Sequence, residues 1–365
     1  MSRPLGLLWE GSFFVHHSLA NVNCELAVLL AERDDIDLGL VPFESHRFGD
    51  EIDPRYRAIT ARLNRRPETI DVHVRHRWPP DFKRPPKGAF VLVQPWEYGS
   101  VPVAWVEGIA ESVDELWVHS RFVRDTYVRS GVDSDIVALI PLGVNPERFH
   151  PDAEPFPVST EKSFRFLFVG GTIERKGFDL LLEAYAEEFT AADDVCLVVK
   201  DFFYGPYGRE LVRELRRDTR APEVRYGYGT MDPTRLGGLY TACDCYVQPY
   251  RGEGFGLPIV EAMACGLPVI VTGRGPALDY CSEETAYLIP AKEAFLREWL
   301  PELPTVHPVT WFEPDPVELR RLLRHVFEHR DEARRKGALA RAHIHKRYTW
   351  ARAVEEIVRR LERWR

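Results

Sequence analysis

The sequence has little that would tie it to a membrane, a secretory route or a nucleic acid. No apolar run approaches the roughly 20 residues that a spanning helix needs. The first residues, MSRPLGLLWEGSFF, have no sustained apolar stretch and no small-residue cleavage pattern, so a soluble, cytoplasmic protein is expected. An excess of basic charge is missing too. The 48 Lys and Arg stand against 56 Asp and Glu, and a net charge of -8 speaks against a general nucleic-acid binder. Cysteine is scarce: Cys24, Cys196, Cys243, Cys245, Cys265 and Cys281, several of them inside apolar runs such as VCLVV and ACDCYV. Two thiols at i and i+2 on a strand point to opposite faces. No second Cys/His group has zinc-like spacing, so the cysteines read as small buried hydrophobes. No Asp-x-Asp occupies a convincing loop; RDDID at residues 33–37 joins a helix to a strand and reads as solvated.

What is present fits an α/β protein in two parts. A chain of 365 residues exceeds what one hydrophobic core usually serves. In its first part the apolar segments LGLLWEG, IDLGLVP, IDVHV, AFVLVQ, ELWVHS and DIVALIP alternate with helical stretches such as LANVNCELAVLLAER and residues 121–130. Apolar strands between helices predict a parallel sheet covered on both faces. Residues 143–163 carry four prolines and no periodicity, and read as a linker. Alternation then restarts with FRFLFVGG, FDLLLEAYAEEF, DVCLVVK, CDCYVQP and LPVIVTG, with helices over residues 232–241 and 258–265. The expected division is a first domain over residues 1–150, a linker over 151–163, a second domain over 164–345 and a final helix over 346–365. Residues 292–316 have scattered prolines and read as a loop or insertion. The Arg- and Glu-rich helices after them read as solvated faces with i,i+4 pairs. Two such domains leave a cleft, and ligands of open parallel sheets bind outside the carboxyl ends of the strands.

The segment RGEGFGLPIVEAMACG, residues 251–266, follows the strand CDCYVQP. Gly252, Gly254 and Gly256 let the backbone turn sharply. Pro258 suits a first helical turn and Gly266 the position past a helix end. The N–H groups around Phe255 to Leu257 then stand at the positive end of a helix dipole, an anion site. Glu253 and Glu261 flank it. Ionised carboxylates only accept hydrogen bonds, so beside an anion site they suit the hydroxyls of a sugar and a ribose. A glycine turn with two solvated glutamates is the plain alternative.

This segment resembles the E-x7-E signature of glycosyltransferase family 4, retaining nucleotide-sugar enzymes of the GT-B fold. FLFVGGTIERKGFDLLLEAY, ELWVHSRFVRDTYVRSGV, VALIPLGVNPERFHP, YTACDCYVQPY and YTWARAVEEI are similar to other stretches of that family, in order. The resemblance implies two doubly wound Rossmann-like domains facing across a cleft, with the last helix crossing back to the first domain. It implies transfer of a sugar from a UDP- or GDP-linked donor to the hydroxyl of a glycan, lipid-linked or small-molecule acceptor, with no metal and no cofactor. Glu261 would bind the donor ribose, Glu253 the transferred sugar, and Gly254, Phe255, Gly256 and Leu257 the sugar and diphosphate. Lys176 would stabilise the charge of the leaving diphosphate, although a solvated turn lysine also fits.

The chain departs from the pattern in two places. Gly171 stands where the family usually has a diphosphate-binding arginine, which leaves Arg175 or the backbone around Gly171 and Thr172 to compensate. Lys200, at a strand end, and Tyr228, in RYGYG, are further candidates for the donor pocket, with ordinary loop roles as the alternative. On the acceptor side the candidates are Gly11, His16, His17, Trp96, Glu97 and His119. The family often has a histidine where this chain has Gln94. Residues 55–87, Arg55 through Lys87, carry ten Lys/Arg against three Asp/Glu and read either as a solvated face or as a peripheral contact with an anionic membrane. An epimerase or phosphorylase on the same fold, or a non-catalytic donor-binding scaffold, are the competing functions.

Overall fold

The structure is a computed structural model that describes residues 3–45, 53–202, 205–296, 299 and 302–365. The chain divides into two compact units. One comprises Met1–Gly143, Leu296–Val309 and Thr349–Arg365; the other comprises Val144–Phe295 and Thr310–Tyr348.

The first unit is built on strands β1 (Leu5–Gly11), β2 (Ile36–Pro42), β3 (Val72–His76), β4 (Ala89–Val93), β5 (Glu115–Val118) and β6 (Val137–Leu139), with helices α1 (Ser18–Ala31), α2 (Val103–Ser112) and α3 (Arg121–Arg129). All pairings are parallel, in the order β2-β1-β3-β4-β5-β6. Strand order therefore reverses between β1 and β3. There Gly11 is in register with His76. A side chain on Gly11 would lie 2.5 Å from both the Asn23 amide nitrogen and the His76 carbonyl oxygen, so only glycine allows that approach.

The second unit contains β7 (Phe164–Val169), α4 (Phe178–Glu188), β8 (Val195–Asp201), α5 (Tyr207–Leu215), β9 (Glu223–Tyr228), α6 (Leu236–Thr241), β10 (Cys245–Gln248), α7 (Leu257–Ala264), β11 (Val269–Thr272) and β12 (Tyr287–Ile289). Its sheet runs β12-β11-β10-β7-β8-β9, again parallel. The order reverses between β7 and β10, which places ligand chemistry at the loops leaving those two strands. Phe164, Phe166 and Phe168 on β7 pack with Phe178, Leu181 and Tyr185 of α4 in a fully buried core.

Two expectations are corrected. The segment expected as a linker is packed on the second unit: Phe156 N–H donates to Gly238 O (2.8 Å) and the Thr241 hydroxyl to Ala153 O (2.9 Å). The unit begins at Val144 because these backbone groups find partners there. The proline-scattered stretch after Lys292 contains an antiparallel pair, β13 (Ala291–Phe295) and β14 (Thr310–Pro314). Arg297, Glu298, Leu300 and Pro301 lie outside the described residues. Of the C-terminal helices α8 (Pro316–Glu328), α9 (Arg330–Arg347) and α10 (Trp350–Leu361), the first buries Leu319, Leu322, Leu323 and Val326, while its Arg and Glu residues form solvated pairs such as Arg321 with Glu318, as expected. Helix α10 belongs with the first sheet, where Arg360 and Arg363 pair with the fully buried Glu115 at 2.6 and 2.8 Å. Among the described residues no helix is long and apolar enough to cross a membrane.

Candidate functional site

The glycine loop leaves β10 and enters α7 at the switch point of the second sheet. Gly256 caps the helix with φ 93°, a left-handed conformation that favours glycine. The Tyr280 hydroxyl donates to Phe255 O at 2.6 Å and pins the turn from below. Across from it, the turn after β7 is stitched to the same loop: the N–H groups of Arg251 and Gly252 both donate to Arg175 O, at 2.8 and 3.2 Å. Gly177, at φ 71°, makes this possible, because a Cβ there would stand 1.9 Å from Pro249 O.

This stitching brings the sequence-predicted catalytic groups into contact. Glu253 is 4% exposed. Lys176 Nζ donates to both its oxygens, at 2.6 and 2.8 Å, and Arg175 Nη1 donates to Oε2 at 3.2 Å and to Gly252 O at 2.7 Å. Burial favours the protonated acid, but the adjacent Lys176 and Arg175 charges outweigh it and hold the Glu253 pKa below the ordinary carboxylate value. Lys176 and Glu253 were expected to serve diphosphate and sugar separately. Here they form one ion pair, so a ligand at either must share it.

Glu261 lies one turn into α7 and accepts from the Tyr240 hydroxyl at 2.7 Å. Burial, followed by the Glu261 charge, raises the Tyr240 pKa well above its usual value, so the phenol stays a donor. Arg251, whose role the sequence did not disclose, braces the loop. It is bidentate to Asp179 at 2.8 and 2.7 Å, donates to Glu313 on β14 at 3.1 Å, and reaches Glu174 O at 2.7 Å. Burial opposes its charge, but Asp179 and Glu313 overcome this and raise its pKa. An arginine next to a glycine loop was the only signal available, since Asp179 and Glu313 meet it from distant segments.

Other donor-side candidates are engaged in the framework. The Thr172 hydroxyl is buried against Asp201 Oδ2 (2.7 Å) and Tyr226 Oη (3.1 Å), which directs it into the sheet end. Lys200 donates to Gly229 O and Asp201 O, tying β8 to the end of β9, and burial lowers its pKa. Gly171 belongs to the turn, its carbonyl accepting from Ile173 N–H at 2.9 Å. Tyr228 is exposed, with the Arg209 guanidinium 5.1 Å from its ring centroid.

The acceptor-side candidates divide in the same way. His17 caps α1, accepting from Ala20 N–H at 3.3 Å, and also meets Glu44 at 3.0 Å; His16 is exposed beside it. Trp96 is a core residue, its indole N–H bonded to Ser100 O at 2.7 Å and its ring 4.7 Å from Trp105, so it is not free to stack on a ligand. Glu97 is half-buried in the turn after Trp96. His119 is buried at the end of β5. Much of the basic stretch is spent internally: Arg55 pairs with Glu25 and Asp53, Arg65 with Asp37, Arg75 and Arg77 with Glu10, and Arg84 with Asp114. All six cysteines are free and buried, and the described residues contain no group of three or more His, Cys, Asp or Glu arranged to hold a metal.

Residues 152–298, which span this loop system, match the family model described as glycosyl transferases group 1. Among curated relatives, D-inositol 3-phosphate glycosyltransferase 1 of Catenulispora acidiphila is 31% identical over 50% of this chain and 47% of the relative. The lipopolysaccharide core biosynthesis mannosyltransferase LpsB of Rhizobium meliloti is 30% identical over 41% of this chain and 45% of that protein. The chain spans less than half the length of the curated relatives it matches. Solved structures match throughout: HepE of Anabaena in complex with UDP and glucose has a TM-score of 0.70 at 14% identity, covering 98% of this chain and 99% of that one. Sucrose-phosphate synthase of Thermosynechococcus elongatus has a TM-score of 0.69 at 19% identity, covering 98% of each chain. With two parallel six-stranded sheets, each covered by helices, the fold of this chain is GT-B.

Proposed function

We propose that this chain is a retaining glycosyltransferase of the family 4 type, moving a sugar from a UDP- or GDP-linked donor to an acceptor hydroxyl without a metal ion. The observation that carries the reading is the pairing of Lys176 and Arg175 with the buried Glu253 at the switch point of the second sheet, beside the glycine turn that opens α7. Two cations at the mouth of a helix N-terminus favour a diphosphate, and the carboxylates of Glu253 and Glu261 favour hydroxyls on either side of it. The matched family model over residues 152–298 supports the activity, and the related fold of HepE holding UDP and glucose supports the donor class.

The chemistry asked of the protein is positioning and charge stabilisation. With the acceptor hydroxyl on the face from which the diphosphate departs, the leaving phosphate oxygen takes the proton and no protein nucleophile is needed. Arg175 occupies, from the next turn, the role an arginine at Gly171 would have had; its Gly252 contact aims it at the loop. We place this activity in the cytoplasm, consistent with the composition of the chain.

The test is a panel of UDP- and GDP-sugars with detection of released nucleotide diphosphate, followed by NMR of the product's anomeric configuration. Release that collapses in Lys176→Ala, with the product retaining configuration, is the expected result. An inverted product would sink the retaining mechanism. Epimerised donor without acceptor would transfer the assignment to an epimerase. Tight donor binding with no release, indifferent to Lys176→Ala, would make the chain a binding scaffold. Activity abolished by EDTA and restored by a divalent ion would refute the metal-free proposal.

A further inference from the structure

The turn that opens α7 rests on aromatic rings, and one of them stands where the chain changes unit. Phe255 and Tyr280 are buried with ring centroids 5.5 Å apart. The ring of Tyr348 packs on both, 5.6 Å from Tyr280 and 6.4 Å from Phe255. Hydrogen bonds run along the same line. The Tyr348 hydroxyl donates to Asp279 O at 2.6 Å, and the neighbouring Tyr280 hydroxyl donates to Phe255 O at 2.6 Å. A Cβ on Gly256 would lie 2.7 Å from that Tyr280 hydroxyl, so the glycine turn sits directly on it.

The second unit begins at Val144 and ends at Tyr348. Val144 N–H donates to Tyr348 O at 2.9 Å, so these two passages between units are paired through their backbones. On the first unit's side the same two segments meet again. A Cβ on Gly143 would stand 2.2 Å from Thr349 C and 2.3 Å from Trp350 N, a spacing that only glycine permits. Tyr348 caps α9, its N–H donating to Ile344 O, and α9 also holds the far end of α7. His345 Nε2 lies 3.0 Å from the carbonyl of Ala264, the last residue of α7, and 3.1 Å from Phe149 O. Gly337 of α9 approaches so closely that a Cβ there would lie 2.1 Å from Gly266 O. Helix α9 therefore grips α7 at its C-terminal end and, through Tyr348, Tyr280 and Phe255, at its N-terminal turn. Packing this close has discrete arrangements and does not deform continuously.

We propose that Tyr348 is a positioning residue that links the paired passages at 143–144 and 348–349 to the anion-binding turn of α7. A nucleotide diphosphate held at the turn then tightens the passages, and a disturbed passage weakens the nucleotide. An oxyanion held by the N–H groups of residues 255–257 fixes the turn whose Phe255 carbonyl Tyr280 already holds. That fixes the Tyr280 ring and the adjacent Asp279 carbonyl, which are the two partners of Tyr348. Linkage makes the effect equal in both directions. That the ligand is a nucleotide diphosphate rests on the glycosyltransferase reading above; the contacts that run from Val144 to Gly256 do not.

Hydrogen exchange of the full chain with and without saturating UDP or GDP tests the link. We expect nucleotide to slow the amides of residues 254–257 and, with them, the Val144 amide by about fivefold or more. Tyr348→Leu should keep the slowing at the turn and abolish it at Val144. Tyr348→Phe, which keeps the ring and loses only the bond to Asp279, should retain part of it. A tyrosine with a structural role alone would speed exchange at both places and leave the nucleotide effect at Val144 intact, which overturns the proposal. Gly143→Ala reads the reverse direction. Its clash with Thr349 and Trp350 should weaken UDP about fivefold in the native chain and less than about twofold when combined with Tyr348→Leu. Circular dichroism verifies that each variant folds, and the exchange of the native chain needs no variant. A turn slowed by nucleotide while Val144 is unchanged, or a Gly143→Ala penalty that persists beside Tyr348→Leu, overturns the proposal. If neither nucleotide slows the turn, the donor reading fails and the link is read without ligand: Gly143→Ala should speed exchange of residues 254–257 when Tyr348 is present and not beside Tyr348→Leu. Equal exchange in both overturns the link.

Discussion

Removing the charge of Glu253 while keeping its shape, in Glu253→Gln, should loosen the loop that carries the proposed donor site. Lys176 Nζ stands 2.6 Å from Glu253 Oε1. At an effective dielectric of 20 the Coulomb attraction of such a pair is about 6 kcal/mol. Desolvation of a buried carboxylate cancels part of that, and breaking one partner of a buried pair typically costs about 3–5 kcal/mol. We expect Glu253→Gln to destabilise the loop by about 3 kcal/mol, at the lower end because Lys176 keeps some access to water. Lys176→Met should cost less, since Arg175 still donates to Glu253. The double variant should then be more stable than the sum of the single effects by at least about 1 kcal/mol, as expected for residues in contact. A chain of two units need not unfold in one step, so the readout is hydrogen exchange of amides in residues 251–264. The lowered pKa of Glu253 adds a second readout. Its stabilising contribution is complete above the ordinary carboxylate pKa of about 4.3 and is lost as pH falls through the lower folded value. Wild-type protection should therefore fail in acid, and the Gln variant should lack that acid limb. Additive effects within about 0.5 kcal/mol, or identical acid limbs, would refute the reasoning.

Gly177→Ala should disrupt the same loop from its other side, because its Cβ would collide with Pro249 O and its φ is left-handed; donor binding should fall along with the protection of residues 174–178. Glu115→Gln should cost about 3 kcal/mol of first-unit stability by leaving Arg360 and Arg363 without a counter-charge, read as faster exchange in α10. His119 binds a proton near pH 4 when folded and near pH 6.5 when unfolded, so stability should fall between those values by on the order of 3 kcal/mol. His76 adds to the slope in the same direction, and His119→Phe should flatten it; an unchanged denaturation profile against pH would contradict the burial of a neutral ring.

Much of the second unit was legible because its strands are continuous apolar runs and its glycine loop announces a turn into a helix. FRFLFVGG, DVCLVVK, CDCYVQP and LPVIVTG all became strands. Helices α2 and α5 and strands β12 to β14 were not read. Short strands over residues 287–295 and 310–314 lack the length for periodicity to speak, and the prolines between them imitate a loop. The packing of residues 151–163 was equally hidden, since proline-rich segments look alike whether they span a gap or lie against a helix.

The site shows the same division. Glycine spacing, Pro258 and the two glutamates are local features, and the sequence alone determined a turn, a helix start and the residues around it, because backbone sterics and capping act over a few neighbours. The pairing of Lys176 with a glutamate 77 positions away, and the bracing of Arg251 by Asp179 and Glu313, depend on which strands are neighbours.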